Sequence, residues 1–163
     1  MILVIIFLLC ALVITSLLES SYSSLNIIRI KKLMENKNKK AKMVYKLYSK
    51  YSEAITSILV VNCVCSVMVS SLTTYYFSNL YGDGSVTLVT IILTLIVLIF
   101  TEITPKILGR EYSEVVAMRL ALVLKTIMFI LTPINKIISK FERKVKNKHK
   151  VTVLDNLSIQ IHG

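Results

Sequence analysis

The chain has 163 residues, 55% of them hydrophobic, with a mean hydropathy of +0.70, yet it carries 20 Lys and Arg against 9 Asp and Glu for a net charge of +11. Such long apolar stretches exclude an ordinary soluble domain, and basic residues gathered between them point to the cytoplasmic face of a membrane rather than to nucleic acid. No zinc-finger spacing or aromatic-rich basic RNA-binding pattern argues otherwise.

Met1 to Leu18 is nearly unbroken apolar sequence, followed by a polar stretch from Glu19 and then by Arg29. A signal peptide carries its basic residues before the apolar run and a small-residue cleavage site after it. Here the basic flank follows, which predicts a retained first span over residues 1–28 with its N-terminus outside. Arg29 to Glu53 holds nine Lys or Arg, with Ile30, Leu33, Met34, Ala41, Val44, Tyr48 and Tyr51 at near-helical spacing. This predicts a basic amphipathic helix over 29–52, held at the inner interface by apolar burial and attraction to anionic lipid.

Ala54 to Tyr81 has no charged residue and predicts a second span over 54–81. Asn62, Ser66 and Ser70 are four residues apart and share one face, and Tyr75, Tyr76 and Tyr81 cluster at the far end as an interfacial belt would. Gly82-Asp83-Gly84 predicts a tight turn, and Ser85 to Pro105 a third span returning inward. Val115 to Ile138 is apolar enough for a fourth span, but charge argues against one. All 20 Lys and Arg fall between Arg29 and Lys50 or between Lys106 and Lys150. Three spans put both blocks inside, whereas a fourth would send Lys136 to Lys150 outside. Residues 111–143 are therefore expected as an interfacial helix, beginning near Ser113-Glu114 and bent at Pro133.

The expected fold is an all-α integral membrane domain of three transmembrane helices with basic interfacial belt helices. Residues 144–163 read as a basic linker and a tail whose alternating pattern from Val151 suggests the first strand of something cut off. Cys10, Cys63 and Cys65 lie in apolar segments and indicate no disulfide framework. His149 and His162 sit in the polar tail without ligand partners at useful spacing.

Chemistry concentrates at Thr101-Glu102-Ile103-Thr104-Pro105-Lys106. An ionisable residue in a spanning helix is expensive and by default marks a functional site. Pro105 lacks an amide hydrogen and clashes with the turn before it, so it kinks the helix and leaves the Thr101 carbonyl without its usual donor. The alternative is that Glu102 lies near the surface and pairs with Lys106, four residues on. In three-span topology Ser23, Asn62 and Glu102 all fall in the inner half, about 9, 13 and 6 Å from their own cytoplasmic flanks. Glu19 and Ser23 share one helix face, as do Asn62 and Ser66. Carboxylates, hydroxyls and an amide oxygen suit Mg²⁺, Ca²⁺ or Na⁺ rather than zinc or copper. Each serine has a plainer role open to it, bonding its own backbone or letting helices pack closely.

Over Leu17 to Lys140 the chain resembles the transmembrane domain of the CNNM/CorC family of magnesium transporters. Thr101 to Lys106 is similar to that family's Gly-Glu-Ile-Thr-Pro-Lys signature, and Glu114 to Ala117 resembles the segment that follows it. Ser57 to Asn62 is similar to a segment ending Gly-Asn-Asn, with Asn62 at the first asparagine, Cys63 at the second and Ser66 at the third. The first span departs from the family's Ser-x-Ser-Glu-Thr-Ala: a hydroxyl position is Glu19 and the acidic position is Tyr22. The resemblance implies a homodimer with an inward-facing cavity in which side-chain oxygens hold Mg²⁺. It also implies magnesium export driven by sodium entry and regulation by cytosolic CBS domains that sense ATP. The chain stops before any such domain, and is expected to be a fragment, a split gene or a shortened homologue.

Together these readings predict a divalent-cation transporter with Glu102 as main charge partner. Asn62, Ser66 and Ser23 would be neutral ligands, Glu19 an extra carboxylate, and Pro105 the kink that opens the site. The rival is a non-transporting anchor or interaction module, or a degenerate transporter fragment. No nucleophile with a base and no metal-binding His pair supports an intramembrane enzyme.

Overall fold

Helices make up every described element, in the order α1 (Ile2–Ser23), α2 (Ile27–Glu35), α3 (Lys39–Tyr48), α4 (Tyr51–Tyr81), α5 (Asp83–Val97), a π-helical segment (Leu98–Ile103), α6 (Thr104–Glu111) and α7 (Ser113–Ile130). The computed structural model describes residues 1–81 and 83–136, apart from the side chains of residues 81, 83–86, 88, 89 and 93. The basic linker and tail from 144 to 163, with His149, His162 and the strand expected from Val151, lie outside the described residues. So does the end of the interfacial helix expected to reach 143.

Among the described residues, three helical stretches are long and apolar enough to cross a membrane: Ile2–Ser23, Tyr51–Leu80 and Thr90–Glu111. The third runs unbroken through α5, the π segment and α6. Each has at least the roughly 20 residues that a hydrocarbon core about 30 Å thick requires. Among the described residues α7 is not a fourth, since Glu114, Arg119 and Lys125 interrupt it. It lies instead against α1, α3 and α4, burying Ala117, Ala121 and Leu124 on one face. Glu114 in its first turn pairs with Arg29 of α2 at 3.3 Å, a favourable place for a carboxylate on a helix N-terminus.

The basic segment expected as one helix is two. Between Glu35 and Lys39 there is no apolar residue to hold a continuous helix down, and the local chemistry favours a stop and a restart. Lys37 adopts φ 60, the Asn38 amide donates to the Leu33 carbonyl at 3.2 Å and the Lys37 amide to the Met34 carbonyl at 3.0 Å. This pair of bonds is a Schellman ending, in which glycine is the usual residue at the left-handed position. Asn38 then caps α3, its Oδ1 accepting from the amides of Lys40 and Ala41 at 2.9 and 3.2 Å. Asn26 caps α2 in the same way, accepting from Ile28 and Arg29. Because a lysine in the left-handed region costs about 1–2 kcal/mol that glycine does not, Lys37→Gly is expected to raise the unfolding midpoint in detergent by about 1 kcal/mol of stability.

The core sits at this basic end. Leu18 and Tyr22 from the end of α1 and Leu25 from the connection after it meet Ile30, Ala41, Val44, Leu47, Ala54 and Ile58, with Ala117, Ala121 and Leu124 closing the cluster. Farther along, α1 and α4 share a smaller cluster of Leu8, Leu12, Cys65 and Val69. Outward faces stay apolar and exposed, as Leu3, Phe7, Val67, Ile91, Ile92 and Leu95 illustrate. That distribution is the one expected where lipid, not water, is the solvent.

Candidate functional site

Pro105 shapes the region around Glu102. In α register the Thr101 carbonyl needs the amide of residue 105, and in π register the Phe100 carbonyl needs the same amide; proline supplies neither. The helix responds by widening into π register over Leu98–Ile103, closed by the Thr104 amide donating to the Ile99 carbonyl. Single π turns of this kind are frequent at functional sites, because the extra residue re-aims the side chains around it. Thr101 is turned inward and buried, its hydroxyl donating to the Val97 carbonyl at 2.8 Å. Glu102 is half-buried beside it.

Glu102 lines a cavity of about 200 Å³ between α4 and the α5–π stretch. Six waters of liquid occupy roughly 180 Å³, so a cation with its first hydration shell fits within it. The wall is mixed: hydroxyls come from Ser66, Ser70, Thr73 and Thr74 of α4 and from Thr90, Thr94 and Thr101 of the facing stretch, and Leu12, Val69, Val97 and Leu98 supply apolar surface between them. From Thr90 to Glu102 these oxygens run along about 18 Å of helix. Among the described residues no three His, Cys, Asp or Glu side chains gather at one point. A cation here would thus meet one carboxylate and a set of neutral oxygens.

The expected ligands occupy different places. Ser66 faces the same cavity as Glu102. Asn62, one turn from Ser66, reaches α1, where Thr15 Oγ1 lies 2.9 Å from its Oδ1 and 3.0 Å from the carbonyls of Ala11 and Leu12. One hydroxyl proton cannot serve three acceptors. Turning the Asn62 amide by half a rotation lets Nδ2 donate to Thr15, leaves the hydroxyl proton for a carbonyl, and frees Oδ1. Glu19 is on the α6 side of α1, its Oε2 3.5 Å from Lys106 Nζ. At that distance the two form an ion pair without a hydrogen bond to close it, and Glu19 Oε2 is buried with no hydrogen-bond donor. Ser23 is exposed, donating to the Glu19 carbonyl at 2.8 Å. The structure therefore brings Glu102 and Ser66 onto one cavity, with Asn62 a turn away and Glu19 and Ser23 outside its lining. Lys106 faces Glu19. Thr101 was singled out from sequence only for its carbonyl, and the threonines at 73, 74, 90 and 94 not at all, although the spacing of Thr90, Thr94 and Thr101 already places them on one stripe.

The sequence matches the Cyclin M (CNNM) transmembrane N-terminal domain family over residues 3–156. The chain belongs to this family. It is 31% identical to the UPF0053 inner membrane protein YfjD of Escherichia coli over 144 residues, covering 86% of this chain and 34% of that protein. It is 31% identical to a UPF0053 protein of Haemophilus influenzae over 127 residues, covering 78% of this chain and 30% of that protein. A similarity of 33% over 81 residues, half of this chain and 17% of the other, links it to the metal transporter cnnm-4 of Caenorhabditis elegans. The chain thus spans about a third of the length of these bacterial relatives. Membership of the CNNM transmembrane family, together with its three apolar helices, makes it a multi-pass membrane protein.

Proposed function

We propose that this chain is the membrane part of a divalent-cation transporter whose cargo is Mg²⁺, moved outward in exchange for entering Na⁺. The observation that carries the reading is the Glu102 carboxylate set into a π turn and facing a partly hydroxyl-lined cavity large enough for a hydrated cation. One carboxylate among neutral oxygens suits a hard cation that keeps much of its water, which is how Mg²⁺ is usually held. Family membership and the named metal transporter among the relatives favour a metal cargo; the likeness of Thr101 to Lys106 to the magnesium-transporter signature favours Mg²⁺ within that class.

In this reading Glu102 supplies the charge, Ser66 and Asn62 supply neutral oxygens, and Pro105 keeps the helix open where the ion leaves its shell. Glu19 holds Lys106 in an ion pair, which keeps that ammonium from neutralising Glu102. Ser23, exposed at the basic end of α1 and outside the cavity's lining, is not needed as a ligand in this reading. A homodimer with the basic helices on the cytoplasmic side belongs to the same proposal.

Flux into lipid vesicles tests it. Vesicles carrying the chain and a trapped Mg²⁺ indicator are expected to fill faster than protein-free vesicles, and faster again under an opposing Na⁺ gradient. Folded protein that moves no Mg²⁺ under either condition would leave the chain as an anchoring module.

A further inference from the structure

The cavity beside Glu102 extends between α4 and α5 from Ser66 past Ser70 and Thr94 to Thr73, Thr74 and Thr90, away from the basic end of the bundle. Ser70 and Thr94 stand equally far along the chain from residue 82, where α4 gives way to α5, and so do Thr74 and Thr90. Antiparallel helices of equal rise set such pairs at matched levels. We propose that this stretch is the second leg of the ion's path, a water-filled track whose hydroxyl groups hold the hydration shell of a passing cation. The inference rests on the transport reading and adds to it the route by which the ion leaves Glu102 on the side opposite the basic helices.

The bonds that these hydroxyls leave unmade carry the inference. Serine and threonine in an apolar helix ordinarily return their proton to a carbonyl of the preceding turn, and Ser20, Ser21, Ser57 and Thr126 do so. Within the cavity Thr101 does the same. Among the described residues, Ser66, Ser70, Thr73, Thr74, Thr90 and Thr94 make no such bond, nor any other side-chain hydrogen bond. Thr73 is the sharpest case. It is 7% exposed and lines the cavity, so the cavity is the one space from which its hydroxyl can draw a partner. A hydroxyl with no partner in an apolar medium is costly, and here six share one groove. Water relieves all of them at once, in a space that is both roomy and polar enough to hold it.

Such a track suits a cation that travels with its water. Mg²⁺ gives up its shell reluctantly, and the waters around it turn their protons outward, where a hydroxyl oxygen can accept them. The hydroxyls thus take the place of bulk solvent around the shell without stripping it. Beyond Glu102 the lining holds no charged side chain. The ion is therefore held firmly at one carboxylate and weakly everywhere else, which passage requires, since a path of tight sites would trap what enters it.

Cysteine labelling in lipid vesicles tests the track without calling on transport. With a charged, membrane-impermeant methanethiosulfonate on both sides of the membrane, Ser70→Cys and Thr94→Cys are each expected to add one label over the parent chain, read by intact mass, because the reactive thiolate forms where water reaches. Ile92→Cys and Ile96→Cys, exposed on the opposite side of α5 from Thr94, are expected to add none. Failure of either hydroxyl position to label, or equal labelling of the two isoleucine positions, would overturn the track. Mg²⁺ flux then tests what the track carries. Ser70→Ala combined with Thr94→Val, both at exposed positions, is expected to slow vesicle filling about fivefold, the equivalent of one hydrogen bond, while the calorimetric affinity for Mg²⁺ stays at the wild-type value. An unchanged rate in vesicles that fill, or a loss of affinity that matches the loss of rate, would overturn the track and leave the transport reading standing. Wild-type vesicles that never fill would overturn the transport reading, and the route with it.

Discussion

Glu102→Gln is expected to weaken Mg²⁺ binding by about a hundredfold or more, near 2.7 kcal/mol, with little change in thermal unfolding. The substitution keeps shape and hydrogen-bonding capacity and removes one charge. At an effective dielectric of 20 a carboxylate and a dication about 4 Å apart attract by on the order of 8 kcal/mol. Desolvation of both partners takes back much of that, which is why the expected loss is a fraction of it. Stability is expected to hold because Glu102 lines a cavity instead of sitting in the packed core. Calorimetric titration of Mg²⁺ into wild-type and variant protein in detergent reads the affinity, and a melting curve of each reads the fold. Equal affinities would remove Glu102 from the site.

Gly109→Ala is expected to destabilise the protein by about 1–3 kcal/mol, the usual range for overpacking, even though alanine is the better helix former by about 1 kcal/mol. The sign comes from how closely α6 approaches α1. A Cβ at Gly109 would run into Ser20 Oγ and come within 2.8 Å of the Leu17 carbonyl oxygen. The Ser20 side chain can be cut away, but the Leu17 backbone cannot. Adding Ser20→Gly should therefore recover only part of the loss. Forcing α6 outward also draws Lys106 away from Glu19, so Mg²⁺ affinity should fall together with stability. A melting temperature at or above wild type in Gly109→Ala would show that the two helices do not meet as described.

Three spans were readable because they are long, nearly charge-free and separated by basic blocks; no finer information was needed. The refusal of α7 as a fourth span came from the same charges, and in the structure Ala117, Ala121 and Leu124 face protein while Arg119 and Lys125 remain exposed. The break between α2 and α3 was legible in principle, since Asn36-Lys37-Asn38 combines a helix ending with a fresh cap. Apolar periodicity on both sides of the break masked it. Glu102 and Ser66 could be proposed for one site because intramembrane cost marks the first and an i, i+4 stripe marks the second. Meetings across helices were not legible. Thr15 with Asn62, Glu19 with Lys106, and Asn135 with Ser57 each depend on how helices rotate against one another. Spacing along a single helix carries no such information. The π turn adds a further shift, because it rotates everything beyond Leu98 relative to an ideal helix.

Locating the ion tests the central claim most directly. With Mn²⁺ standing in for Mg²⁺, anomalous scattering from crystals of this chain should place a peak in the cavity between α4 and the π segment, at coordinating distance from the Glu102 carboxylate, and that peak should vanish in Glu102→Gln. A peak at the Glu19–Lys106 pair, or one beside residue 102 that persists in the variant, would contradict it.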